Sequence, residues 1–206
     1  WRFIKNNISF VNQAKEWEAV ITKINNAKDL NIDDSFINTA VDELPEDPFD
    51  EKDVDWEKRQ DDMIQLMKDR FGIGLASPQL GMGYRMFVMT LSTGEDIGVY
   101  NPEILEFSEE TVGMEEGCLT FPLLYFIVTR PAKVKVRFQT VNQEVVEDWL
   151  EGMDARCFQH EFDHLNGKLY LEYASDLKLQ RAMKKRDKKI KVLETDLALR
   201  KIQNES

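Results

Sequence analysis

Apolar residues fall at helical spacing near the start of the chain. Phe10, Ala14, Trp17, Val20, Ile21 and Ile24 form one stripe with Ser9 placed to cap it, and a weaker stripe runs through Phe36, Ile37, Ala40 and Val41. From Asp42 to Asp55 the pattern gives way to acids punctuated by Pro45 and Pro48, which predicts a linker or exposed loop. Trp56 to Phe71 reads as helix again: Met63, Leu66, Met67 and Arg70 share a face, and Gly72 supplies a stop.

Beyond Gly72 the period shortens. Arg85 to Leu91 predicts a short apolar strand and Thr93-Gly94 to Asp96 a turn, followed by strands Ile97 to Tyr100 and Ile104 to Phe107 separated by Asn101-Pro102. Ala132 to Phe138 alternates as a half-solvated antiparallel strand does, and Asn142-Gln143 predicts a hairpin turn into Glu144 to Leu150. Asp154 to Leu165 is the strongest internal helix, with Asp154 near its start and Gly167 just past its end. Ser175 to Lys201 predicts a long helix carrying Leu177, Leu179, Met183, Ile190, Leu193 and Leu197. Strands grouped between helices predict an α+β fold with an antiparallel sheet. Residues 1–52 read as a helical extension ending in the acidic linker, and residues 53–206 as the main domain.

Composition narrows the classes. Twelve Phe, four Trp and eight Met in 206 residues are enough to fill a core, so global disorder is excluded. With 27 bases against 38 acids the net charge is −11, which argues against general or sequence-specific nucleic-acid binding. The charge is uneven: residues 42–62 carry a net of −8 and residues 174–206 a net of +5. The longest apolar run, Leu119 to Val128, is broken by Pro122 and falls short of the roughly 18 residues of a membrane span. Lys5, Asn6, Asn7 and Gln13 interrupt the first twenty residues, so no signal peptide is expected there, and a first residue of Trp1 rather than Met fits a leader already removed. Two cysteines are too few for a disulfide scaffold, and a reduced, cytoplasmic setting is expected.

The chemistry concentrates in His160-Glu161-Phe162-Asp163-His164. Four residues advance a helix by about 400°, so both imidazoles lie on one face and can share a metal ion while Glu161 serves as general base. Chance occurrence is the bland alternative, but both histidines of the chain are in this motif. A catalytic site needs a third protein ligand. Tyr170 stands where a metzincin has its third histidine, and Glu172 is a carboxylate candidate with only a short return. Cys157 lies three residues before His160, but its short side chain cannot reach an ion gripped by both histidines, and it reads as a small core residue. Cys118, in Glu115-Glu116-Gly117-Cys118-Leu119-Thr120, can approach the helix from outside; with His160 and His164 it makes the best ligand set.

Gly72-Ile73-Gly74-Leu75-Ala76-Ser77-Pro78-Gln79-Leu80-Gly81 is glycine-rich but lacks the lysine of a phosphate loop. Its small residues would let backbone approach a substrate, and Gln79 offers an amide donor; a helix-capping turn is the alternative.

Taken in order and spacing, Gly72 to Gln79, Glu116 to Thr120 and Gln159 to Leu165 resemble the three signature motifs of peptide deformylases. The resemblance covers about residues 56–185, with Ser77 where the family usually has Ala and Thr120 where Ser is commonest; residues 1–50 match nothing of the family. It implies antiparallel sheets packed around the HExxH helix, with a long C-terminal helix. The implied activity is removal of the formyl group from the N-terminal formyl-methionine of nascent chains. Cys118, His160 and His164 would bind one divalent metal ion, Fe²⁺ natively, with Zn²⁺ or Ni²⁺ in purified protein. Glu161 would move the proton, Gln79 and the Leu119 N–H would stabilise the oxyanion, and Gly74 would bring backbone to the substrate. Phe158 is a candidate wall for the methionine pocket, and Asp163 and Gln159 are either partners of the ligands or solvated and capping residues. The basic stretch from Arg181 to Lys191 would dock on the ribosome, the alternative being a solvated helix face. An HExxH endopeptidase and a structural metal module are the rival functions.

Overall fold

The computed structural model describes residues 48–50 and 53–204. The helical stripes expected over Phe10–Ile24 and Phe36–Val41 lie outside the described residues. Where the acidic stretch is described it is not simply exposed. Pro48 is buried, and the Phe49 ring lies 5.0 Å from Tyr100 and 6.1 Å from Trp56.

Helix α1 (Trp56–Asp69) starts at Asp55, whose carboxylate accepts the Lys58 N–H at 2.9 Å. Its end differs from the expected glycine stop. Phe71, not Gly72, takes the left-handed conformation (φ 57°), and the Gly72 N–H returns to the Met67 carbonyl at 2.9 Å. Gly72 is small for another reason: a β-carbon there would fall 2.8 Å from Leu119 Cδ1.

The chain continues through β1 (Gly74–Ala76), a 3₁₀ turn (Ser77–Leu80), β2 (Met86–Thr90), β3 (Asp96–Phe107), β4 (Thr111–Cys118) and β5 (Phe121–Pro131). After these come β6 (Lys133–Gln139), β7 (Val145–Glu151), α2 (Gly152–Leu165), a second 3₁₀ turn (Tyr170–Tyr173) and α3 (Asp176–Asn204). Five strands form an antiparallel sheet in the order β1-β2-β3-β6-β7, and β4 and β5 pair as a separate hairpin.

The two strands expected around Asn101-Pro102 are one. β3 runs through them with a register shift between Tyr100 and Glu103, which Asn101 absorbs at φ 48°. Strand β4 is absent from the sequence-based expectation because its inward residues include Glu116, which hides the apolar alternation.

Strand β2 reads as a continuous apolar run because both its faces are buried. Phe87 and Met89 face α2, together with Val99, Val136, Phe138 and Phe158. Met86 and Val88 face α1 with Trp56, Met63, Met67 and Tyr100. Phe158, proposed above as a pocket wall, is instead fully buried in this first core, edge-on to Phe87 at 5.1 Å. A third core joins the hairpin to the second 3₁₀ turn and α3 through Leu124, Phe126, Val128, Tyr170 and Ala182.

Helix α2 carries no side-chain cap from Asp154. That carboxylate instead accepts the Ser92 N–H (2.7 Å) and hydroxyl (2.8 Å), tying the β2–β3 turn to the helix. Its C-terminus ends as expected, with Gly167 at φ 69° and the Lys168 N–H on the Asp163 carbonyl at 2.8 Å. In α3, Ala182 and Ile190 are buried while Lys184, Lys185, Lys188, Lys189 and Lys191 are exposed. Among the described residues no helix is long and apolar enough to cross a membrane.

Candidate metal centre

Cys118 ends β4 at the closed end of the hairpin, where it pairs with Phe121 across the two-residue turn Leu119-Thr120. The hairpin lies against α2, so that Cys118, His160 and His164 converge with their donor atoms within 4.8 Å of one another, all three buried. Donors bonded to one tetrahedral ion at 2.0–2.3 Å lie about 3.5 Å apart, so small side-chain adjustments suffice. Cys118 Sγ is already 3.3 Å from His164 Nε2. Burial pushes the Cys118 thiol up, but His164 and His160 beside it outweigh that and hold it well below its ordinary range.

The other third-ligand candidates stand elsewhere. Tyr170 turns its hydroxyl to the Leu124 carbonyl at 2.9 Å, and exposed Glu172 accepts the Leu169 N–H at 2.8 Å. Cys157 donates to the Ile73 carbonyl at 3.3 Å within the core, where burial pushes its thiol well up.

Glu161 lies on the same helix, buried, and its Oε2 has no hydrogen-bond partner among the described residues. Burial pushes its carboxyl up to about 7, against the opposing effect of His160 and His164. A buried carboxylate atom without a partner beside a thiolate and two imidazoles is the arrangement expected where a hydrated cation completes the set, so the residues fit a divalent metal ion.

Gly74 packs directly on this carboxylate: a β-carbon there would collide with Glu161 Oε1 and lie 2.7 Å from Cys157 Sγ. Gln79 is fixed at its oxygen by the Ala76 N–H (2.8 Å), which turns its Nε2 toward Cys118 Sγ (3.4 Å) and Thr120 Oγ1 (3.1 Å). Both departures from the family pattern therefore have local partners, since the Ser77 hydroxyl, fully buried, donates to the Tyr84 carbonyl.

Behind the histidines lies a buried ionic network that the sequence reading did not assemble. Glu116 Oε2 is 3.0 Å from His160 Nδ1, which assigns the proton to Nδ1 and leaves Nε2 as the donor toward the ion. Glu116 also accepts from Arg130 Nε (2.7 Å) and Arg156 Nη1 (2.6 Å), and Arg130 Nη1 reaches Asp163 at 2.6 Å. Burial would raise the Glu116 carboxyl, but His160 and the two arginines bring it down to about 2. Two acids balance two guanidiniums, the condition for burying such a group at tolerable cost. Of the two residues left open on sequence, Asp163 belongs to this network, whereas Gln159 donates to the Ala155 (3.0 Å) and Pro131 (3.1 Å) carbonyls. A signal for the network existed: Glu116 stands two residues before Cys118 on one strand face, and Arg156 one helical turn before His160.

Residues 30–180 match the family described as Polypeptide deformylase. A peptide deformylase of Thermotoga petrophila is 47% identical over 131 residues, 64% of this chain and 79% of that protein. A crystal structure of a peptide deformylase from Legionella pneumophila is similar with a TM-score of 0.66 at 35% identity, covering 78% of this chain and 92% of that one. A class I type b peptide deformylase from Acinetobacter baumannii, solved with Met-Ala-Ser bound, has a TM-score of 0.60 at 33% identity, covering 68% and 92%. The family match begins at residue 30, which corrects the expectation that residues 1–50 resemble nothing of the family: residues 30–50 fall within it.

Proposed function

The chain belongs to the polypeptide deformylase family, and on that premise we propose how its own residues perform the reaction. The activity is hydrolytic removal of the formyl group from the N-terminal formyl-methionine of nascent polypeptides, a metal-dependent reaction that releases formate. The observation that carries the residue assignment is the convergence of Cys118, His160 and His164 beside the buried Glu161 carboxylate.

Cys118 Sγ and the two imidazoles would hold the ion. When bound, it supplies Lewis acidity and a water acidified toward neutral pH. Fe²⁺ is the native ion in this reading, and Zn²⁺ or Ni²⁺ can replace it, as a mixed sulfur and nitrogen donor set allows. Glu161 accepts a proton from the attacking water and returns it to the amine nitrogen as the C–N bond breaks. Gln79 Nε2, oriented by the Ala76 N–H bonded to the other end of the amide, and the Leu119 N–H at the hairpin turn donate to the oxygen of the formyl group as it becomes negative. Gly74 presents the β1 backbone to the peptide, and Met-Ala-Ser bound to the Acinetobacter enzyme supports a short peptide with N-terminal methionine as the occupant.

A closed structural metal shell needs a fourth protein donor, and the candidate group among the described residues has three. The deciding assay is formate release from formyl-Met-Ala-Ser, set against cleavage of casein. Metal-dependent formate release with intact casein is expected, and casein cleavage without formate would make the chain an endopeptidase.

The exposed lysines of α3 support a docking role on the ribosome, where their charge would meet phosphate. Two unpaired cysteines support a reducing, cytoplasmic setting. We propose residues 53–206 as the catalytic domain and residues 1–52 as an extension to it, of which residues 30–52 fall within the family match.

A further inference from the structure

Tyr173 ends the 3₁₀ turn that leads into α3 and is 43% exposed. Its hydroxyl donates to Asp163 Oδ2 at 3.0 Å, the oxygen that also accepts from Arg130 Nη1 at 2.6 Å. Its ring lies over the Arg130 guanidinium, with 4.4 Å from Cζ to the ring centroid. The two groups it covers are almost sealed from water, with side-chain exposures of 4% for Arg130 and 13% for Asp163. This aromatic side chain thus forms part of the wall between solvent and the buried ionic network, and it lines a cleft of about 420 Å³ behind α2 together with Arg130, Asp163, Pro131 and Phe162.

The connection from this wall to the metal centre is unbroken: Tyr173 to Asp163, Asp163 to Arg130, Arg130 to Glu116, and Glu116 Oε2 to His160 Nδ1. The Asp163–Arg130 and Arg130–Glu116 contacts join charged groups whose side chains are largely buried, so their strength depends on the exclusion of water. The same turn touches the centre a second time, through Tyr170, whose ring centroid is 5.6 Å from that of His160. We propose that Tyr173 is a positioning residue for the deformylase centre: by closing the Arg130–Asp163 pair it fixes Glu116, and through Glu116 the tautomer and orientation of His160. The proposal rests on the assignment of Cys118, His160 and His164 as metal ligands. It adds that Tyr173, at the end of the turn launching α3, sets the geometry of a ligand that it does not itself touch.

Two variants of the full chain separate the contributions. Tyr173→Phe keeps the ring over Arg130 and loses the bond to Asp163, and Tyr173→Leu loses both. The readouts are kcat and KM on formyl-Met-Ala-Ser, zinc affinity by chelator competition, and the visible spectrum of the cobalt-substituted protein. Tyr173→Leu is expected to lose about tenfold in zinc affinity or kcat, as partners of ligating histidines do, with KM little changed and the cobalt bands displaced. Tyr173→Phe is expected to recover part of that loss. Wild-type kcat, zinc affinity and cobalt spectrum in both variants would overturn the proposal. So would a loss of kcat matched by a fall in melting temperature with an unaltered spectrum, which would assign Tyr173 to the fold alone. The ligand assignment fails separately: a wild-type protein that takes up no zinc overturns both readings, whereas zinc-binding wild type with indifferent Tyr173 variants overturns only this one.

Discussion

Gly74 and Glu161 meet with no space between them: the place where a β-carbon of residue 74 would stand is taken by the carboxylate of the HExxH helix. A strand backbone and the carboxylate proposed as proton carrier thereby lock each other in position. Gly74→Ala must push Glu161 or Cys157 aside. A misplacement near 1 Å costs on the order of 10² in rate. Formate release should fall to that degree with metal content unchanged, and wild-type turnover would remove the constraint.

Glu161→Gln preserves shape and removes the base. Metal analysis should show an undiminished ion while formate release drops by about 10² or more. Full activity in this variant would end the assignment of Glu161 as proton carrier.

The two cysteines should part company. Cys118→Ser is expected to lose metal and turnover together, whereas Cys157→Ala keeps both and costs about 1 kcal/mol of packing by urea denaturation. The reverse order of metal loss would transfer the ligand role to Cys157.

Phe158 provides a test of the core. It is fully buried against Phe87 and Phe138, so Phe158→Ala should lower unfolding stability by about 3–5 kcal/mol. A pocket wall would instead raise KM at unchanged stability.

Charge on α3 can be probed without removing buried Ile190. Replacing Lys184, Lys185, Lys188, Lys189 and Lys191 by serine should leave hydrolysis of small formyl peptides near wild type and reduce co-sedimentation with ribosomes at low salt, where phosphate contacts are strongest. Equal co-sedimentation would return these lysines to a solvated face.

The helices and β6 were legible because their apolar residues keep a clean period. Met63 and Met67 mark the inner face of α1, and Val134, Val136 and Phe138 that of β6. The convergence of Cys118, His160 and His164 was legible because their chemistry is scarce: two histidines and two cysteines leave few combinations. Strand β4 was not, since the residues it turns inward include a carboxylate whose neutralising arginines come from β5 and α2. Pairing across such distances is a property of topology, and local pattern does not carry it. Phe158 was misplaced for the opposite reason. Proximity to His160 in sequence put it near the site, but two residues along a helix diverge by about 200°, which turns Phe158 into the sheet.

The hairpin origin of Cys118 has a consequence for the life of the molecule without its ion. His160 and His164 are presented by one helix, whereas Cys118 comes from the end of a two-stranded ribbon 46 residues before His164 in the chain. An ion held by all three is a cross-link between two separately hydrogen-bonded units, comparable in logic to a disulfide across a long loop. Held by these three residues, an ion would bind only where the ribbon is docked and would deepen that docked state by mass action. The amides of β4 and β5 are therefore the natural reporters of metal loss, exchanging with solvent first when the ion is withdrawn while those of β2 and α2 stay protected.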